Sequence, residues 1–197
     1  TGATVQEAKE SPTPNTSPVE VEPVKETVVN NSQKVSTGNS RVIPSEVQSK
    51  YDEVRKTYVQ QVMLPLRNKA LALSDEYSKI AVSPEYENAI KSQSIFSSQN
   101  NIPEIVNQHS VMKLKANAAF SLRNRLDQYW TLREFEIADG SDPTTVDAYA
   151  LKIEKETDSS VYQYMEDTKP WLEKTDSILT SNSQAVSDYY NYQNNTS

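Results

Sequence analysis

The chain of 197 residues contains no cysteine, a single histidine and only three glycines. Without cysteine it can form no disulfide, no thiolate nucleophile and no cysteine-ligated metal site. With His109 as its one imidazole, it cannot supply three or four His or Cys ligands to a zinc ion, nor the two Glu-x-x-His pairs of a di-iron bundle. Three glycines also cannot build a Gly-rich phosphate loop. The sequence therefore predicts a protein that is not an enzyme and that holds no cofactor or metal.

Positive charge is scarce as well. The formal net charge is −7, and acidic residues outnumber basic ones both in residues 1–44 and in the rest of the chain. Because a protein that neutralises phosphates needs a concentrated positive surface, this balance argues against nucleic-acid binding. The stretch from Lys113 to Arg125 carries four basic residues and no acid. Four such residues point in different directions around a helix, so we interpret them as solvated charges.

Residues 1–44 contain no aromatic residue, but they hold half of the ten prolines. Their few apolar side chains cannot offset the entropy of ordering the chain, which predicts a disordered tether. The Ser/Thr/Pro/Glu-rich composition and the start at Thr1 resemble the spacer that follows the lipidated cysteine of bacterial surface lipoproteins. We therefore expect an exported, cell-surface protein; the start at Thr1 then reflects either a lipid anchor just before it or a truncation.

Residues 45–193 have the pattern of a helical domain. Apolar residues recur at spacings of three and four, and no alternating strand pattern of useful length occurs. The predicted helices span residues 46–82, 84–98, 103–138 and 143–190. Because long apolar stripes must be buried against one another, the sequence predicts an all-α fold, an elongated antiparallel bundle of three long helices plus one short helix. A four-helix bundle is the alternative.

Local signals predict where the helices begin and end. Ser45 and Gln48 have the spacing of a capping box. Ser83 precedes a proline at the first helical position, which is a second start signal. Gly140 should end the third helix in a left-handed conformation, and Asp142 should cap the fourth.

Two prolines lie inside predicted helices. Pro65 should either kink the first helix or divide it into two. Pro170 should either kink the last helix or restart it, with Asp167 or Thr168 as the cap. The pattern of apolar residues leaves these alternatives open.

Several polar residues are candidates for chemistry. His109, Arg123 and Arg133 fall on the apolar stripe of the third helix, where we interpret them as structural, with the arginines paired to carboxylates or reaching the bundle edge. Four carboxylates surround the turn that follows: Glu134, Glu136, Asp139 and Asp142. Oxygen ligands on a turn suit calcium, but the spacing does not match an EF-hand, so we interpret the four as helix caps and solvated charges.

Tyrosine is abundant, with eleven residues. It suits half-buried helix positions and is also enriched at protein interfaces. Large side chains near the C-terminus predict a cluster that faces a partner: Tyr162, Tyr164, Met165 and Trp171. The leading hypothesis is a non-catalytic protein that binds another protein or an envelope polymer. The alternatives are a carrier or sensor with an apolar small ligand between its helices, and a self-assembling structural coiled-coil protein.

Overall fold

The computed structural model describes residues 42–95 and 102–194, without the side chains of residues 93–95. No β-strand occurs within these ranges, so the all-α prediction is confirmed. The predicted tether lies outside the described residues apart from residues 42–44, as does the end of the helix predicted at 84–98. The helices are α1 Ser45–Tyr58, α2 Leu64–Ala81, α3 Pro84–Ile95, α4 Glu104–Asp139, α5 Val146–Glu156, α6 Ser159–Tyr162, α7 Thr168–Ser181 and α8 Ser183–Asn194.

The first long helix is continuous through Pro65, because α1 and α2 are joined by a π-helical turn, Val59–Met63. A proline cannot donate to the carbonyl four residues earlier, and its ring crowds that carbonyl. Here that carbonyl belongs to Gln61, inside the π turn. The wider turn thus relieves the crowding without dividing the helix.

Helix α4 ends where the sequence predicts. Gly140 follows it with a φ of 72°, in the left-handed region. The amide of Ser141 then donates to the carbonyl of Glu136, at 3.1 Å, which satisfies one of the free carbonyls in the last turn.

We expect Gly140→Ala to lower the free energy of unfolding by about 1 kcal/mol, because an L-residue is strained at this φ. A Cβ at this position would meet no atom within 4 Å, so the loss arises from the backbone alone. Urea unfolding followed by circular dichroism measures it. Gly140→Asn is the matched control, since asparagine tolerates the left-handed region and should lose less. Equal losses for both variants would contradict this explanation.

An uninterrupted helix over residues 143–190 is wrong, whereas the alternative that the helix restarts near Pro170 with Asp167 as its cap is confirmed. The chain forms α5 to α8 instead, with extended backbone at Thr157. The Asp158 carboxylate accepts from the amide of Ser160 at 2.7 Å and starts α6. The Asp167 carboxylate accepts from the amide of Lys169 at 3.2 Å and starts α7, so Pro170 lies in the first turn of a restarted helix. Side chains that compete for backbone amides end a helix even where the apolar spacing continues.

Two predicted caps are also wrong. Pro44, rather than Ser45, precedes the first helix, and no side chain caps that end. Thr145, rather than Asp142, caps α5 by accepting from the amide of Ala148 at 3.1 Å. The prediction at Ser83 is confirmed, since its hydroxyl accepts from the amide of Tyr86 at 3.2 Å. The residue types alone therefore did not determine which residue caps each helix.

Helices α2 and α4 pack along each other. They are antiparallel, because Tyr77 near the end of α2 stacks on His109 near the start of α4, at a centroid distance of 4.4 Å. Helix α1 packs against α7 and α8, and the second half of α4 packs against the same two helices. The principal core lies between these elements and α5. No described helix is both long and apolar enough to cross a membrane.

The core is centred on Trp130, which is fully buried and stacks on the buried ring of Tyr58 at 4.1 Å between centroids. The five consecutive stripe positions from α1 to α2 are all buried: Val54, Tyr58, Val62, Leu66 and Ala70. Helices α5, α7 and α8 complete the core with Ile153, Leu172, Leu179 and Val186.

Two adjacent charged residues of α4 are buried, and each has its own set of hydrogen-bond partners. Arg133 is 5% exposed, and its guanidinium donates to Asp176 at 2.8 Å and to Glu136 at 2.6 Å. This confirms the prediction that Arg133 pairs with carboxylates. Glu134 is 4% exposed and accepts from the phenols of Tyr51 and Tyr190 and from the indole of Trp130. These bonds join α4 to α1, α7 and α8.

Candidate partner-binding groove

An open groove of about 240 Å³ lies between α2, α4 and the segment that joins α6 to α7. Its residues come from three distant parts of the sequence. The groove is lined by Leu66, Lys69, Leu73, Lys115, Ala119, Leu122, Tyr164 and Glu166.

The floor of the groove follows from helical spacing. Leu66 and Leu73 are seven residues apart on α2 and so share one face. Lys115, Ala119 and Leu122 are spaced by four and three on α4 and share another. Ala119 contributes only a methyl group to this face, between the longer side chains of Lys115 and Leu122, and all three residues line the groove.

The wall of the groove is a turn rather than a helix. The amide of Tyr164 donates to the carbonyl of Val161 at 3.0 Å within this turn, and Tyr164 lines the groove. Glu166 anchors this turn at both oxygens. One forms an ion pair with Lys69 of α2, and the other accepts from the indole of Trp171 at 3.0 Å.

The predicted cluster is only partly brought together. Tyr162, Met165 and Trp171 are half-buried and pack against the principal core. Of the four predicted residues, Tyr164 alone lines the groove. Tyr162, Met165 and Trp171 therefore lie on the core side and Tyr164 lies at the groove. Whether any of the four contacts a partner stays a prediction.

The groove itself was not predicted from the sequence. Leu66, Leu73 and Ala119 fit the apolar spacing of their helices, but that spacing gives no sign that the space between them stays open. Lys115 was predicted to be solvated, and it is exposed, but its place at the groove was not predicted. The available signal was the small residue at 119 between the larger residues at 115 and 122.

Charge around the groove is one-sided. Residues 64–74 of α2 and residues 113–126 of α4 contain six basic residues and no acid, in a chain with a net charge of −7. Lys69 is paired with Glu166, and Arg125 with Glu156 at 2.6 Å. Lys115 has no ion pair or side-chain hydrogen bond within the described part of the chain. One ammonium group at the groove is thus left without a counter-charge.

His109 lies at the opposite end of the α2–α4 seam from the core. Its ring packs between those of Tyr77 and Tyr86, each at a centroid distance of 4.4 Å. Burial lowers the pKa of His109, and the charge of Lys113 lowers it further. A neutral imidazole between two phenol rings joins α2, α3 and α4, as expected of a structural histidine.

The four carboxylates near residue 140 do not act together. Glu134 is buried, and Glu136 accepts from Arg133 and from the amide of Thr144 at 3.0 Å. Interpreting these two as solvated is therefore wrong. Burial raises the pKa of Glu136, but the bonds from Thr144 and Arg133 outweigh it, and the pKa is lowered.

The other two carboxylates of this turn are Asp139 and Asp142. Asp139 accepts from the amide of Ser141 at 2.8 Å, and Asp142 is exposed. Within residues 42–95 and 102–194, no three His, Cys, Asp or Glu residues are grouped so that they could hold a metal ion. Arg123 buries its Nε without a hydrogen-bond partner in the same ranges, so no pairing with a carboxylate is seen at that atom.

Searches against protein-family models, curated proteins and solved structures each found no match to this chain. The groove must therefore be interpreted from its own residues. They supply an apolar floor, a phenol, two ammonium groups and one carboxylate. Such a set can bury an apolar group and orient it by charge.

Proposed function

We propose that this protein is a non-catalytic, exported protein of the cell surface that binds another protein or an envelope polymer through the groove between α2 and α4. The observation that carries the proposal is an open apolar depression bordered by Tyr164 and by Lys115, whose ammonium has no ion pair with any residue that the structure describes. Interfaces bind most strongly where an anchoring side chain fills such a depression. The exported location rests on the composition of residues 1–44 alone.

The size of the groove favours a partner side chain over a free ligand. Pockets for small molecules commonly span roughly 300–1,000 Å³ and enclose most of the ligand. This groove offers about 240 Å³ and is open to solvent. A carrier of apolar ligands is therefore less well supported. Self-assembly through apolar stripes is also less well supported, because the stripes of α2 and α4 are largely buried against each other.

We expect Tyr164→Ala to weaken partner binding about 10-fold or more, since truncating an aromatic residue at a binding pocket removes its main contact area. The full chain serves as bait for proteins and envelope polymers of its native source, and the affinity of each enriched partner is then measured. Tyr192→Ala is the matched control, because Tyr192 is 39% exposed on α8 and does not line the groove.

Both variants must keep the circular dichroism spectrum of the native chain. Partner binding that survives Tyr164→Ala unchanged would contradict the proposal that the groove is the binding surface. Equal losses in both variants would contradict it too, since the effect would not be local. Enrichment of no protein or polymer by the native chain would contradict the binding function itself.

A further inference from the structure

The groove has a charge preference as well as a shape. The charged residues of its flanks, residues 64–74 and 113–126, are all basic. Among the described residues, Glu166 pairs with Lys69 and accepts from Trp171, and Glu156 pairs with Arg125, so both of these carboxylates are engaged. The ammonium of Lys115 therefore borders an apolar depression with no carboxylate beside it in the described residues.

A partner that covers the groove must remove water from Lys115. Burying an ammonium without a counter-charge is strongly unfavourable, whereas a carboxylate placed beside it restores the lost interaction. A neutral or basic partner would therefore be penalised at this position, and an acidic one would not. Because Lys115 and Ala119 are one helical turn apart on α4 and both line the groove, the charge and the apolar group must be close together in the partner.

We infer, resting on the proposed binding function, that the partner docks through a short acidic peptide segment. One large apolar side chain of that segment fills the space above Ala119, and an Asp or Glu about one helical turn away pairs with Lys115. The local positive charge also attracts such a segment to one region of a protein that is otherwise acidic.

The test selects peptides from a displayed library of random 12-residue sequences against the full-length chain, then measures the affinity of synthetic versions by fluorescence anisotropy. We expect the selected peptides to combine a large apolar residue with neighbouring Asp or Glu. Lys115→Glu should weaken their binding about 30-fold or more, as for a charge pair with one partner reversed. Peptides with Lys in place of the acid should regain affinity for Lys115→Glu.

Lys155→Glu is the matched control, because it changes the net charge equally at an exposed position of α5 outside the groove. It should alter the affinity by less than about 2-fold at physiological ionic strength. Equal losses for Lys155→Glu and Lys115→Glu would overturn the inference, since only the net charge would then matter.

The remaining outcomes separate the inference from the function on which it rests. Peptides that bind, lose affinity with Tyr164→Ala and show no acidic preference would overturn the inference and leave the binding function standing. If no selected peptide depends on Tyr164 for binding, both the inference and the proposed binding function would be overturned for peptide partners. Phosphatidylglycerol vesicles that bind through Lys115, with no peptide doing so, would make the anionic partner a lipid surface and overturn the inference.

Discussion

Trp130→Ala is expected to lower the free energy of unfolding by about 3–5 kcal/mol, or to prevent folding altogether. The indole is fully buried, stacks on Tyr58 and donates to Glu134 at 2.6 Å. Truncation leaves a cavity at the centre of the core and removes one of the three donors to a buried carboxylate. Urea unfolding followed by circular dichroism measures the loss.

Trp171→Ala is the matched control, since it is the other tryptophan of the chain. Trp171 is only partly buried and donates to Glu166 at the edge of the core. We expect it to lose about 1–2 kcal/mol, because less contact area is removed and water can enter the space. A loss as large as that of Trp130→Ala would contradict the conclusion that Trp130, and not Trp171, lies at the centre of the core.

Glu134→Ala is expected to lower the free energy of unfolding by about 3–5 kcal/mol, because one buried donor and two half-buried donors lose their acceptor at once. These donors are the phenols of Tyr51 and Tyr190 and the indole of Trp130. Burial and the bond to the carboxylate both raise the pKa of each tyrosine, so the phenols stay protonated donors at neutral pH. Equilibrium unfolding in urea measures the effect.

Two variants test this reason. Glu134→Gln keeps one acceptor oxygen and the shape of the side chain, so it should lose about 1–2 kcal/mol. Glu154→Ala removes an exposed carboxylate on α5 and should change stability by less than about 0.5 kcal/mol. If Glu134→Ala were no worse than Glu154→Ala, the three hydrogen bonds would have no net stabilising effect.

Regular apolar spacing predicted two of the three long helices well, those that the structure has over residues 45–81 and 104–139. On α4, the stripe positions Ala116, Ala119, Leu126 and Trp130 are all buried, as the spacing of three and four requires. The same stripe predicted Arg133 inside the bundle, paired with carboxylates. Periodicity carries this information because burial of one helix face is a property of the local sequence.

The division of the last predicted helix into α5 to α8 could not be predicted from periodicity. The spacing of four continues from Ile153 through Thr157 to Val161, although the backbone is extended at Thr157. The deciding residues were Asp158 and Asp167, whose carboxylates accept from amides two residues ahead. An aspartate can as well lie on the outer face of a helix, so its presence alone does not mark an end.

The groove was still harder to predict from the sequence. It requires residues near 66–73, 115–122 and 164–166 to meet, and only tertiary packing sets their distance. Tyr164 was predicted as a contact residue because of its neighbours, not because of the two helices it faces. The basic flanks were visible as composition, but their meaning depended on which lysine has no ion pair within residues 42–95 and 102–194.

The apolar stripe of the first long helix rotates gradually around the helix axis, and the π turn between α1 and α2 limits that rotation. From Val54 to Ala70 the stripe advances in four steps of four residues, and in a regular α-helix each such step overshoots a full turn by about 40°. The stripe would then wind towards solvent before it reached Ala70. Underwinding at Val59–Met63 cancels part of that drift, and all five stripe residues remain buried. In this sequence, four successive apolar spacings of four residues next to a proline therefore indicate an underwound helix.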